Sequence, residues 1–167
     1  MGIPSRITDF MEKSDISYSH ILHPPEIKAE DMAKKIHCAR HEVAKVIAVH
    51  LDGRDAVLII PASDRLDNAL IHESLGSKRM ELFTEKELSL RFRDCETGAM
   101  SVFGNLYGLE IIVSDSLLED SDIYFNAGTH SDAIRCKMSD FIKITNPRIA
   151  NISKLHKDNF VCLDLCY

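Results

Sequence analysis

The stretch VIAVHLDGRDAVLII, residues 46–60, carries the strongest structural signal in the chain. Val46 to Leu51 and Ala56 to Ile60 are nearly unbroken apolar runs, with Asp52-Gly53 between them. An Asp-Gly pair tolerates the positive φ that a tight hairpin turn demands. Runs that are apolar on both faces predict central strands covered on both sides. C-terminal to this hairpin, Asp67 to Leu75 reads as a helix closed by Gly76. Thr84 with Glu87 forms a capping box for a helix running to about Phe92. Leu109–Val113, Ile123–Phe125 and Ile134–Cys136 read as strands, with a helical turn over Ser116–Asp120 and a short helix over Ser139–Ile142 capped by Ser139. On the N-terminal side, Ile7, Phe10 and Met11 follow Pro4 at helical spacing. Ser17–His23 alternates as a strand does and stops at Pro24-Pro25. Residues 27–37 carry acids early and lysines late, the charge order that suits a helix macrodipole. Helices interspersed among strands without strict βαβ alternation predict an α+β fold, its mixed, mostly antiparallel sheet surrounded by helices.

Composition narrows the function classes. A chain of 167 residues suffices for one domain with short appended ends. Its net charge of −6 argues against coating nucleic acid with the whole surface, so any RNA contact must be local. Five cysteines at wide spacings, without a CxxC pair, read as reduced thiols in a cytoplasmic protein. The first twenty residues lack the apolar core of a signal peptide, and no segment is long and apolar enough to span a bilayer, so no membrane partner is expected.

Familiar hydrolase signatures are missing: there is no G-x-S-x-G elbow, zinc-binding H-E-x-x-H or phosphate loop. His37, Cys38 and His41 lack a clear third and fourth partner for zinc. Cys95 precedes a glycine-bearing loop and invites a nucleophile reading with His130 as base, but a partly buried thiol explains it as well. Residues 95–108 form a long loop containing Gly98, Gly104 and Gly108, and loops of that length are more often functional than connective.

Three segments then act together: Glu42-Val43-Ala44-Lys45-Val46-Ile47, Gly98-Ala99-Met100-Ser101-Val102-Phe103-Gly104, and Gly128-Thr129-His130. With Lys28-Ala29-Glu30-Asp31-Met32-Ala33, Pro61-Ala62-Ser63-Asp64-Arg65-Leu66-Asp67 and Ser114-Asp115-Ser116-Leu117-Leu118, their order and separation resemble the YbaK/EbsC family, the prolyl-tRNA synthetase-associated editing domain. The resemblance covers roughly residues 18–152. It leaves a helical extension over 1–16, a YbaK-like domain over 17–152 and an apolar tail over 153–167 that suits an edge strand or a dimer contact.

The resemblance implies a free-standing aminoacyl-tRNA deacylase that hydrolyses the ester of a mischarged tRNA without metal or other cofactor. Its partners would be the tRNA 3′ end and a synthetase; monomer and homodimer both stay open. Lys45 would hold the terminal adenosine as a flexible point charge on phosphate. Gly98 would open a wall of backbone donors facing an oxyanion, and His130 would complete the catalytic set. Val46, Ala99, Ser101, Val102, Phe103, Gly104, Gly128 and Thr129 would contact substrate. Two positions depart from the family pattern: Val102 stands where Pro is common, and Val46 where Thr or Asn is. Those departures also motivate an alternative, a non-catalytic module that binds an aminoacyl-adenosine-like ligand or a protein partner.

Overall fold

The computed structural model describes residues 2–156. In chain order the elements are α1 (Ser5–Lys13), β1 (Tyr18–Leu22), α2 (Ala29–Lys35), β2 (Ala44–Leu51), β3 (Arg54–Pro61), β4 (Asp64–Leu66), α3 (Asn68–Leu75), β5 (Met80–Leu82) and α4 (Glu85–Arg91). They continue with β6 (Glu110–Ser114), β7 (Asp122–Asn126), β8 (Asp132–Lys137), α5 (Met138–Thr145), β9 (Arg148–Ala150) and β10 (Ser153–Leu155). Short 3-10 turns lie at Arg40–Glu42, Gly104–Tyr107 and Asp115–Glu119.

The hairpin forms as its sequence dictates. β2 and β3 pair antiparallel from Ala44 opposite Pro61 to Leu51 opposite Arg54, and Asp52 (φ 50°) and Gly53 (φ 81°) make the turn. The Asp52 carboxylate also accepts the backbone N–H groups of Lys78 (3.1 Å) and Arg79 (2.9 Å), which holds the start of β5 beside the turn. The hairpin sits inside a five-stranded sheet of order β5-β2-β3-β6-β9, in which β3–β6 and β6–β9 are parallel and the other pairs antiparallel. A second, antiparallel sheet has the order β1-β8-β7, and β4 pairs with β10. The fold class is therefore α+β with a mixed central sheet, as read from the sequence.

Both faces of β3 are covered. Val57 and Ile59 face a large core shared with Ile123, Phe125 and Ile134 of the second sheet, Phe103, Phe141, and Ile7 and Met11 of α1. Ala56, Leu58 and Ile60 face the opposite side, under Ile71 of α3 and Ile152. All five of these β3 residues are 0% exposed, which accounts for the unbroken apolar run.

The predicted caps divide. Asp67 accepts the Leu70 N–H at 2.9 Å and Gly76 (φ 64°) ends α3. Thr84 and Glu87 form the reciprocal capping box, at 2.7 and 3.2 Å. Ser139 does not cap α5: the helix begins at Met138, with Lys137 at its N-cap and no side-chain cap. The helix expected over 27–37 is confined to Ala29–Lys35, and His37 sits at φ 58°, outside it. Ser153–Leu155, at the start of the expected apolar tail, pairs with β4; Phe160, Val161, Leu163 and Leu165 lie outside the described residues. Among the described residues no helix is long and apolar enough to cross a membrane.

Candidate active-site cleft

The cleft exists because one strand is short. β5 pairs with β2 only at Val49–Leu51, with Phe83 N–H reaching Ala48 O at 3.0 Å, so the β2 edge over Ala44–Ile47 is uncovered. Beside that edge lies a cavity of about 400 Å³ walled by Ile27–Glu30, Ala44–Ile47, Arg65, Gly98, Met100 and Asn126. Alternation along β2 sends Lys45 to the α3 side with Ile47 and Val49, and Val46 to the other side with Ala44 and Ala48. Lys45 is half-buried and makes no ion pair among the described residues. Lys28, Lys45 and Arg65 line the cavity with a single carboxylate residue, Glu30, so basic residues outnumber acidic ones at the wall of a chain that is acidic overall.

The opposite wall is the loop after Cys95, tied to the segment after β7 by two rungs. Glu96 N–H donates to Gly128 O (2.8 Å), and Gly128 N–H to Ala99 O (2.9 Å). Gly98 sits at φ +89° at the exposed rim, a conformation other residues rarely adopt. Gly98 and Met100 both line the cavity, and neither N–H has a backbone acceptor among the described residues.

Other expected contact residues turn inward. Ala99, Val102 and Phe103 are 0% exposed; Phe103 packs on Phe10, Phe125 and Phe141 in the main core. Ser101 is buried, and its Oγ accepts the Phe103 N–H at 3.3 Å. Gly104 is a packing glycine: a Cβ there would lie 2.5 Å from Val57 Cγ2. Gly128 is held the same way, at φ +93° with Pro4 Cδ 2.5 Å from where its Cβ would be, so it seats the N-terminal segment. Thr129 donates its hydroxyl to Asp132. Burial disfavours the Asp132 carboxylate, but the hydrogen bonds from Thr129 and His20 outweigh it and hold its carboxyl below the usual range. These side chains build the wall from behind instead of lining it, because the loop can stay ordered only by burying its apolar half.

His130 is likewise a brace. Its Nδ1 lies 3.2 Å from Glu26 O and its Nε2 3.0 Å from Thr97 O, and its backbone N–H donates to Glu96 Oε2 at 2.8 Å. With both ring nitrogens turned to backbone carbonyls, the ring spans the two lips of the cleft, and no hydrogen bond joins it to Cys95 among the described residues. Cys95 is also removed from chemistry. It is buried against Tyr107 Oη (3.3 Å), and burial raises its thiol above the ordinary range. Burial likewise pushes the Cys38 thiol up to about 11, and His41 Nδ1 pairs with Asp120 at 2.8 Å. No cluster of three or more His, Cys, Asp or Glu side chains among the described residues is placed to hold a metal ion.

A model of the aminoacyl-tRNA editing domain matches residues 23–144. The chain belongs to that family. Solved structures share the fold of this editing domain. One is the hypothetical protein APE2540, at 16% identity and a TM-score of 0.80, covering 89% of this chain and 99% of that one. Another is described as a candidate trans-editing enzyme for prolyl-tRNA synthetase, at 14% identity and a TM-score of 0.78, covering 90% of this chain and 96% of that one. At such identities the likeness establishes the fold alone. A comparison with curated proteins finds no match.

Of the site residues expected from the sequence, Lys45, Val46 and Gly98 line the cavity; the remaining lining residues were not expected, among them Arg65, Lys28, Met100 and Asn126. Three of these four stand in motifs that carried the family resemblance, and Asn126 lies two residues before the Gly128-Thr129-His130 segment, so a signal was present. It marked family membership without saying which side chains reach the cavity.

Proposed function

We propose that this editing domain is an aminoacyl-tRNA deacylase acting in trans on the 3′ end of a mischarged tRNA. The observation that carries the reading is the juxtaposition of Lys45, on an open strand edge, with the positive-φ loop at Gly98 across the cleft. Lys45, with Lys28 and Arg65 on the same lip, suits the phosphate and ribose of a terminal nucleotide. The N–H groups of Gly98 and Met100 would face the oxygen that becomes negative as water attacks the ester. An aminoacyl ester is already labile, so positioning and oxyanion stabilisation suffice, and no side-chain nucleophile or metal is called on. His130 acts as a positioning residue, holding the Gly98 loop against the β1–α2 connection. The net charge of −6 favours few phosphate contacts, and hence modest tRNA affinity or help from a synthetase.

The test is deacylation of a panel of mischarged tRNAs, including Ala-, Cys- and Ser-tRNA species, by the full chain and by Lys45→Ala. Turnover on at least one species is expected, with kcat/KM lowered by about 10- to 100-fold in the variant, the scale of one charge-assisted hydrogen bond. Turnover on none, with retained binding of an aminoacyl-adenosine mimic, supports the non-catalytic alternative. Turnover untouched by Lys45→Ala refutes the assignment of Lys45.

A further inference from the structure

We propose that Asn126 receives the free α-ammonium of the aminoacyl group, so that the cleft selects esters whose amine is unblocked and charged. This inference rests on the deacylase reading above. Asn126 closes β7 and is 9% exposed, and its Oδ1 is buried with no hydrogen-bond partner among the described residues. Asn126 nonetheless stands among the residues that wall the cavity, with Lys45, Gly98 and Met100. The residues that follow it are satisfied internally: Ala127 N–H donates to Asp132 O at 2.9 Å, Gly128 N–H to Ala99 O, and Thr129 to Asp132. A buried amide oxygen without a partner costs free energy. At the wall of an open cleft, that unmet capacity is reserved for a group that arrives. The terminal torsion of Asn is broad, so the amide turns either end inward at little cost.

The other lining side chains select the group. Lys28, Lys45 and Arg65 only donate hydrogen bonds, and they already match phosphate. Ile27, Ile47 and Met100 offer no strong acceptor. Glu30 and Asn126 are the lining side chains that accept well, and Glu30 stands in the first turn of α2, on the lip with Lys28. Asn126 lies on the wall of Gly98, where the ester carbonyl would be held. The ammonium sits on the carbon next to that carbonyl, within reach of the same wall. A neutral amide accepts from the ammonium without cancelling the positive charge that Lys45 offers to phosphate.

The experiment uses two non-hydrolysable probes with the full chain, read by calorimetry. They are 3′-deoxy-3′-(alanylamino)adenosine and its lactylamino counterpart, in which a hydroxyl replaces the ammonium. The wild type should bind the amine at least about tenfold tighter, the scale of one charge-assisted hydrogen bond. Asn126→Leu should shrink that preference below about twofold while leaving affinity for the hydroxy probe nearly unchanged, and Asn126→Asp should widen it. Equal binding of the two probes by the wild type, binding of neither, or equal loss for both in Asn126→Leu overturns the proposal. If Asn126→Leu does not fold, the isosteric Asn126→Asp decides, and an unchanged preference there overturns it. Hydrolysis of alanyl- and lactyl-tRNA is followed in parallel. An amine preference in binding without turnover on either ester refutes the deacylase reading and still supports this role for Asn126.

Discussion

Gly104→Ala tests whether the glycine that ends the cleft loop serves packing or substrate. Its backbone φ is ordinary, so an added methyl meets no conformational barrier; it meets Val57 Cγ2 at 2.5 Å and Cγ1 at 3.3 Å. Val57 is 0% exposed in the middle of β3, between β2 and β6, and has little room to retreat. Overpacking of this kind costs about 1–3 kcal/mol. For a domain of this size that lowers Tm by roughly 2–12 °C, taking 2–4 °C per kcal/mol. Val57→Ala alone removes two buried methyl groups at about 0.8 kcal/mol each plus a cavity term, hence roughly 2 kcal/mol. In the double variant the methyl added at position 104 occupies the space that the Val57 methyls leave. The two losses should therefore fail to add, with a favourable coupling of about 1 kcal/mol or more. Thermal and urea melts of the four proteins give the cycle, and deacylation by the double variant should match the wild type within about twofold. Additive losses, or a double variant as stable as wild type but inactive, refute the packing role and return Gly104 to the substrate wall.

Gly98→Ala should separate activity from stability. The position holds φ +89°, while the new Cβ would stand 3.7 Å from His130 Cε1, an ordinary contact. The strain of about 1–2 kcal/mol should shift the loop, lowering kcat by at least tenfold while Tm falls by no more than roughly 2–8 °C; unchanged kcat argues against the loop as oxyanion wall. Cys95→Ser should retain deacylase activity, and native Cys95 should resist iodoacetamide, because its thiol is buried and held protonated. Loss of activity with the fold intact would restore the nucleophile reading. His50 Nδ1 pairs with Asp55 (2.7 Å) and Nε2 with Glu87 (3.1 Å), and the Asp55 hydrogen bond leads in raising its pKa above the ordinary 6.5. The stability this gives is fully present below 6.5 and is lost as pH rises through the raised folded-state value. The urea midpoint should fall more between about pH 6 and about pH 9 for the wild type than for His50→Gln; parallel changes would exclude His50 as the cause.

Much of the fold was legible in the linear chain because its signals are local. The Asp52-Gly53 turn, the Thr84–Glu87 capping box and the Asp67 and Gly76 ends of α3 each depend on residues within a few positions of one another. The helix start expected at Ser139 failed at that scale too, since Lys137 and Met138 begin α5 without a side-chain cap. β4, β5, β9 and β10, three residues each, carry too little periodicity to be read, and they exist because a neighbouring strand offers its edge.

The cleft followed a different rule. Taken alone, the sequence determined an α+β domain of the editing family with Lys45 at the mouth of a buried strand and a glycine-bearing loop opposite. Tertiary structure decided which side chains face the cavity. Val102, Phe103 and Gly104 spend their apolar surface on the core, Gly128 on Pro4 and Thr129 on Asp132, while Arg65 and Asn126 arrive from segments far apart in the chain. A motif records that a loop is present, but the half of it that touches a ligand is set by what the other half must bury. Here that division follows from the early end of β5, which leaves one strand edge open for the walls to close around.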